Sequence, residues 1–315
     1  MKIHPDYFKL HGLVMLSSLI PTVILFIPIP SFEIVLLRSL MAVIILFFFV
    51  FYKKLPINLD KKSIFMMLLA GFLTAMFWTL YFLSSKLANA SVALVGFATS
   101  PLWVTFIAPL IFKKKVDFYQ FMTGLNAVFG IYMIFSTNFD YEWGLALAII
   151  AAAFSGLVTV LNSQFARLFN PMVVNFYQMI GAFLGTLLFL PFYAFFFSKN
   201  SSLNFDAGFK GFLLIFLLAL IFSVLANYII ISIMKTISPF TISLATNLSP
   251  VYGIIFDLLI NGRDVLMTIY FYSGAVIIIS SVTAMPLVSY FFKDSLPEEP
   301  TKPKVAYVTK QVTTK

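Results

Sequence analysis

The chain has 315 residues, of which 61% are hydrophobic, 18% aromatic and 10% charged, with a net charge of +9 and a mean hydropathy of +1.00. Soluble domains are about 45–50% apolar and about 25% charged, so too few charges remain here to cover a water-facing surface, and a soluble enzyme or a disordered chain is close to excluded. There is no cysteine, and the two histidines are His4 and His11. That excludes disulfides, thiolate metal sites and an HExxH zinc site, and no cofactor or metal is expected. The basic residues sit in short clusters between apolar runs, a placement that speaks to membrane orientation rather than to nucleic acid.

A spanning helix needs about 20 mostly apolar residues to cross a bilayer core about 30 Å thick. Ten runs meet this requirement in chain order: Gly12–Ile27, Phe32–Tyr52, Ile64–Ser84, Ser91–Phe112, Phe118–Phe135, Trp143–Phe165, Met172–Phe197, Phe209–Met234, Phe240–Ile260 and Met267–Phe292. Helix is the forced conformation, because every backbone N–H and C=O must be paired within hydrocarbon. Stretches such as Val43–Phe51 lack the alternation of a barrel strand. The first run is followed by Ile27-Pro28-Ile29-Pro30 and by no cleavage pattern, so it is expected to stay as a helix that stops near Ile27.

With the N-terminus inside, the inner segments hold sixteen Lys or Arg and the outer ones four (Lys86, Lys199, Lys210 and Arg263). This predicts an integral protein, expected in the bacterial inner membrane, with both termini in the cytoplasm. From Lys293 the composition turns to Pro and charge, and residues 293–315 read as a disordered cytoplasmic tail.

Laying the segment from Ser85 over the segment from Met234 puts Lys86 on Lys235, Ser100-Pro101 on Ser249-Pro250 and Trp103 on Tyr252. A one-residue slip puts Gly124 on Gly274, and Phe32–Ala42 lies over Met172–Ala182 with Arg38 on Gln178. Five helices is an odd number, so the second half would enter the membrane from the opposite side. The predicted fold is all-α, with ten transmembrane helices as two inverted five-helix repeats, residues 1–136 and 141–292.

These residues carry a family resemblance. Over about residues 11–290 the chain resembles the EamA-type group of the drug/metabolite transporter superfamily. The likeness is clearest in LYFLSSKLANASVALVGFATSPLWVTFIAPLIF (Leu80–Phe112), in NYIIISIMKTISPFTISLATNLSPVYGIIF (Asn227–Phe256), in Arg38 and in YQMIGA (Tyr177–Ala182). The resemblance implies export or exchange of small metabolites, often amino acids, through a central cavity. Family members often carry a glutamate just after the fourth and ninth helices; here those places read Lys113-Lys114-Lys115 and Gly262-Arg263-Asp264.

Polar groups at membrane depth are costly and each needs a reason. Arg38 reads either as a counter-charge for a substrate carboxylate or phosphate, or as a side chain that snorkels outward or bonds carbonyls between helices. Asp257 reads as an ion-pair partner of Arg38, as a protonatable coupling residue or as an interfacial group. Asn227, Asn247 and Asn162 would line a cavity or cross-link helices, and Ser249 shares a helical face with Gly253 and Asp257. Pro101 and Pro250 would interrupt the fourth and ninth helices at matching depths, as a site pointer or as packing kinks. Trp78, Tyr81, Trp103 and Tyr252 would wall the cavity or belong to the interfacial belt. Gly181 and Gly185 form a GxxxG in the seventh run, for close packing or a homodimer face. The expected function is a secondary transporter of small metabolites working by alternating access, with a small-molecule substrate and the lipid bilayer as partners. A membrane-embedded enzyme or a channel-like protein is the alternative.

Overall fold

The computed structural model describes residues 4–88, 90–135, 142–196, 203–249, 251–253, 256, 273–274 and 276–282. Among the described residues the secondary structure is helical, with no strand. The elements in order are α1 (Pro5–Ser17), α2 (Ile20–Leu25), α3 (Ser31–Tyr52), α4 (Lys61–Leu87), α5 (Ala90–Phe97), α6 (Ser100–Phe112), α7 (Phe118–Phe135), α8 (Glu142–Leu168), α9 (Pro171–Phe196), α10 (Gly208–Leu217), a π-helical stretch (Leu218–Ala226), α11 (Asn227–Ile233), α12 (Pro239–Ala245) and a 3₁₀ turn (Thr246–Leu248). Seven helices among these residues are long and apolar enough to cross a membrane: 5–25, 31–52, 61–87, 92–112, 142–168, 171–195 and 208–233. The eighteen residues of α7 match the fifth apolar run. Most of the ninth and tenth runs, together with Pro250, Asp257 and the tail, lie outside the described residues.

Local chemistry sets the helix ends. Asp60 caps α4 by accepting a hydrogen bond from the Ser63 amide at 2.9 Å, and Ser238 caps α12 through the Thr241 amide at 3.1 Å. Proline stands in the first turn of α1, α2, α6 and α12, where its missing N–H costs nothing. The first helix differs from expectation: it begins at Pro5, well before Gly12, and is broken at Ser18–Leu19 ahead of Pro21. Pro191 is carried inside α9 without a break.

The fourth span is also broken. Pro101 has no N–H to give to Phe97, and the Leu102 amide bonds to the Thr99 carbonyl at 3.0 Å. The chain therefore turns at Ala98–Thr99 between α5 and α6, and the Ala98 carbonyl is left for another donor. A second irregularity, the 3₁₀ turn at Thr246–Leu248, follows α12.

Glycines let the central helices approach closely. A Cβ at Gly71 of α4 would overlap the backbone of Gln178 in α9, and one at Gly181 would overlap the backbone of Leu68. The 181–185 glycine pair is thus packed against α4 within this chain, with Gly185 against the Phe72 side chain. Gly96 and Gly156 do the same between the fourth span and α8, meeting Ala148 and Trp103, and Gly144 of α8 meets Ala88 at the end of α4. The aromatic run at Phe47, Phe48, Phe49 and Phe51 is exposed, as a lipid-facing surface should be.

Candidate substrate site

Arg38 is 1% exposed, the largest fully buried side chain among the described residues. It lies on α3, and two other elements shape its surroundings. The guanidinium carbon stands 4.0 Å from the ring centroid of Trp78 and 5.7 Å from that of Phe82, both on α4. Nε donates to the Ser223 hydroxyl at 2.6 Å, on the π-helical stretch. Nη1 has no hydrogen-bond partner, and among the described residues no carboxylate pairs with this cation. An arginine inside a span costs about 2.5–3.5 kcal/mol on insertion scales, and a desolvated stack on tryptophan returns about 2 kcal/mol. Arg38 does not snorkel outward, and among the described residues it bonds no backbone carbonyl. It is held by two aromatic rings and one hydroxyl, with Nη1 open to an anion.

Ser223 is set in place from its other side. The Asn175 amide of α9, itself fully buried, donates to the carbonyls of Ser223 and Val224 at 3.0 and 3.1 Å. Those carbonyls belong to a π-helical stretch, where wider winding disturbs the ordinary backbone pairing. Asn227 then donates to the Asn175 side-chain oxygen at 2.7 Å. The result is a continuous polar chain, Arg38–Ser223–Asn175–Asn227, crossing three spans inside an apolar bundle.

The other expected residues divide between two places. Trp78 and Tyr81, each 7% exposed, belong to the apolar cluster around Val35, Ala75 and Met179. Gln178 is fully buried and donates to Asn162 of α8, and its own side-chain oxygen has no partner. Asn247 and Ser249 are buried near the two helix breaks, and Tyr252 packs at the edge of a second apolar cluster. The Asn247 amide donates to the Ala98 carbonyl at 3.1 Å, and Ser100 bonds Ser243 at 2.8 Å. Trp103 is 36% exposed, on the outside of α6. Pro101 opens α6. Pro250 and Asp257 lie outside the described residues, so the suggested Arg38–Asp257 pair does too.

Sequence reasoning passed over Asn175 and Ser223. Asn175 stands three residues before Gln178 in an apolar helix and so shares its face, a usable signal. Ser223 carries no signal beyond being a hydroxyl in an apolar run. Glu33 was also missed, because it is the second residue of its run and looks like a helix terminus. It is fully buried.

Comparison with known proteins agrees with this architecture. The model of the EamA-like transporter family matches residues 12–136 and again 142–286. A curated relative, an uncharacterized transporter in the trpA 3' region of Buchnera aphidicola subsp. Schlechtendalia chinensis, is 33% identical over 95 residues. That match spans 30% of this chain and 31% of the relative. One crystal structure of a protein superposes with a TM-score of 0.69 at 14% identity, covering 90% of this chain and 98% of the other. At that identity the likeness concerns the fold alone.

Proposed function

The chain belongs to the EamA-like transporter family, an integral membrane protein by its spanning helices, and from that premise we propose that it exports or exchanges small metabolites bearing an anionic group, such as amino acids, by alternating access. The observation that carries this reading is the buried guanidinium of Arg38, which has an open donor and no carboxylate partner among the described residues. Burying an uncompensated cation destabilises a bundle. A substrate carboxylate would supply the missing charge while it is bound. Trp78 and Ser223 fix the plane of the guanidinium, so the anion is received in one orientation.

Two inverted five-helix halves are part of the same proposal. The family match occurs twice. The bond from Asn247 to Ala98 joins residues 149 apart, the offset at which the two halves overlay in sequence. Contact between repeat-equivalent residues is what a two-fold axis between the fourth and ninth spans would produce. Rocking of the halves about that axis would expose the Arg38 region to one side and then the other. The Lys and Arg asymmetry supports cytoplasmic termini in an inner membrane. The sequence carries no glycine-rich phosphate loop, so a substrate or ion gradient, or a partner protein, would drive the cycle.

Counterflow in proteoliposomes tests the reading. Labelled amino acids should accumulate against an unlabelled internal pool, saturably, and the Arg38→Gln variant should lose most of that flux. Product formation without flux would replace the carrier with an enzyme, and unsaturable flux would replace it with a channel.

A further inference from the structure

A second cluster of ionisable groups lies away from Arg38, at the end of the bundle where the α2–α3 turn meets the ends of α4 and α9. Glu33 is fully buried in the first turn of α3. One carboxylate oxygen accepts the Tyr193 hydroxyl of α9 at 3.1 Å; the other accepts the Asn204 backbone N–H at 3.5 Å. Lys86, in the last turn of α4, is attracted electrostatically to Glu33. Its ammonium donates to the Ile27 carbonyl at 2.9 Å and also to the Ile29 carbonyl. Phe32 stacks on Tyr193 with ring centroids 4.1 Å apart.

The bonds of Glu33 and the stack of Phe32 cross between the two family matches. Ile27, Ile29, Glu33 and Lys86 belong to the first; Tyr193 and Asn204 belong to the second. If the halves rock, this end can open only when the Glu33 contacts to Tyr193 and Asn204 break. A carboxylate holds them by accepting charge-assisted hydrogen bonds and attracting Lys86. A carboxylic acid has no charge to attract the ammonium and has one acceptor site fewer.

We propose that Glu33 is a proton-binding site, and that the Glu33–Tyr193–Lys86 cluster is the latch which that proton releases. The idea rests on the carrier reading for its purpose, and on this cluster alone for its chemistry. Protonation neutralises Glu33, frees Tyr193 and the 203–207 segment, and leaves Lys86 to its carbonyls. Among the described residues, the elements packed around Glu33 carry few titratable or charged groups. The helix α4 brings Lys86, and α9 brings Tyr193. The helix α10 brings Lys210, whose ammonium lies 5.8 Å from the Phe26 ring. The 203–207 segment brings Asp206, whose carboxylate accepts the Gly208 amide. The helix α2 carries no charged residue. Of these, Glu33 is the buried carboxylate.

The chain has no cysteine, so one introduced thiol reports without background. Ser39 suits this use: it is fully buried on the same stripe of α3 as Val35 and Ala42 and bonds only the Leu36 carbonyl. The Ser39→Cys protein in sealed vesicles is labelled with an impermeant maleimide from each side in turn, without substrate, across a pH series. From the side where Glu33 lies, labelling, expressed relative to the same thiol in denatured protein at each pH so that the falling thiolate fraction cancels, should speed up about tenfold or more as the pH falls. Glu33→Gln should label fast at every pH, and Tyr193→Phe should lie between. Size-exclusion profiles of each variant check the fold. A pH response that survives in Glu33→Gln, or a Glu33→Gln protein as slow as its parent at neutral pH, overturns the latch. The expected labelling with no counterflow of any amino acid leaves the latch standing and removes the carrier reading instead.

Discussion

Asn247 and Ala98 are 149 residues apart in the chain and one hydrogen bond apart in space. The Ala98 carbonyl is free because Pro101 breaks the helix after it, and the Asn247 amide supplies the donor the helix no longer can. Replacing Asn247 with Ala leaves that buried carbonyl unpaired and should destabilise the protein by about 1–2 kcal/mol. Thermal unfolding in detergent reads this, and an unchanged midpoint would mean that water takes over the bond.

Glycine positions offer a graded test of packing. Gly71→Ala pushes a methyl group into the Gln178 backbone, which cannot swing aside, and should cost about 1–3 kcal/mol. Gly12→Ala meets nothing within 4 Å and should be neutral or stabilise by up to about 1 kcal/mol through helix propensity. Both are read from the same unfolding curves, and equal effects would contradict the close approach of α4 and α9.

At the start of α4, hydrogen bonds from the Ser63 side chain and then from its amide hold the Asp60 carboxyl below the usual carboxylate pKa. A carboxyl group depressed in the folded state contributes its stability in full above its unfolded pKa and loses it as the pH falls through the folded one. Asp60→Ala should therefore cost about 1 kcal/mol at neutral pH, with the difference shrinking below about pH 4. Unfolding of both proteins at pH 7 and in acid checks the sign.

Arg38 separates stability from flux. Arg38→Gln removes a buried cation that has no carboxylate partner among the described residues, so the variant should unfold no earlier than its parent while counterflow falls about tenfold or more. Arg38→Lys keeps the charge but loses the planar stack on Trp78 and should be nearly as impaired. Flux and unfolding measured on the same preparations decide this; full flux in either variant would relocate the binding charge.

Much of the architecture was legible because lipid imposes one rule: every apolar run of sufficient length becomes a helix. The second to eighth runs agree with helices to within a few residues. The first does not, since Asp6, Lys9 and His11 disguise a helical turn and more ahead of Gly12. The turn at Ala98–Thr99 stands just ahead of Pro101, because a missing N–H acts locally. The wide winding of residues 218–226 was illegible: LALIFSVLA is apolar but for Ser223, and the partner of its Ser223 and Val224 carbonyls is Asn175 on another helix. Glu33 was hidden for a related reason. A carboxylate near a run's end reads as solvated, and only the packing of α9 and the 203–207 segment over it makes it buried.

The π-helical stretch stores slack in the middle of a span. Surplus backbone of this kind can migrate along a helix while the flanking α-turns keep their pairing. Each residue it passes turns by about 100° about the axis. Moving it by one position would swing the Ser223 hydroxyl away from Arg38 with no hinge and no tilt of the whole span. The grip on the guanidinium would then be tightened or relaxed by winding alone.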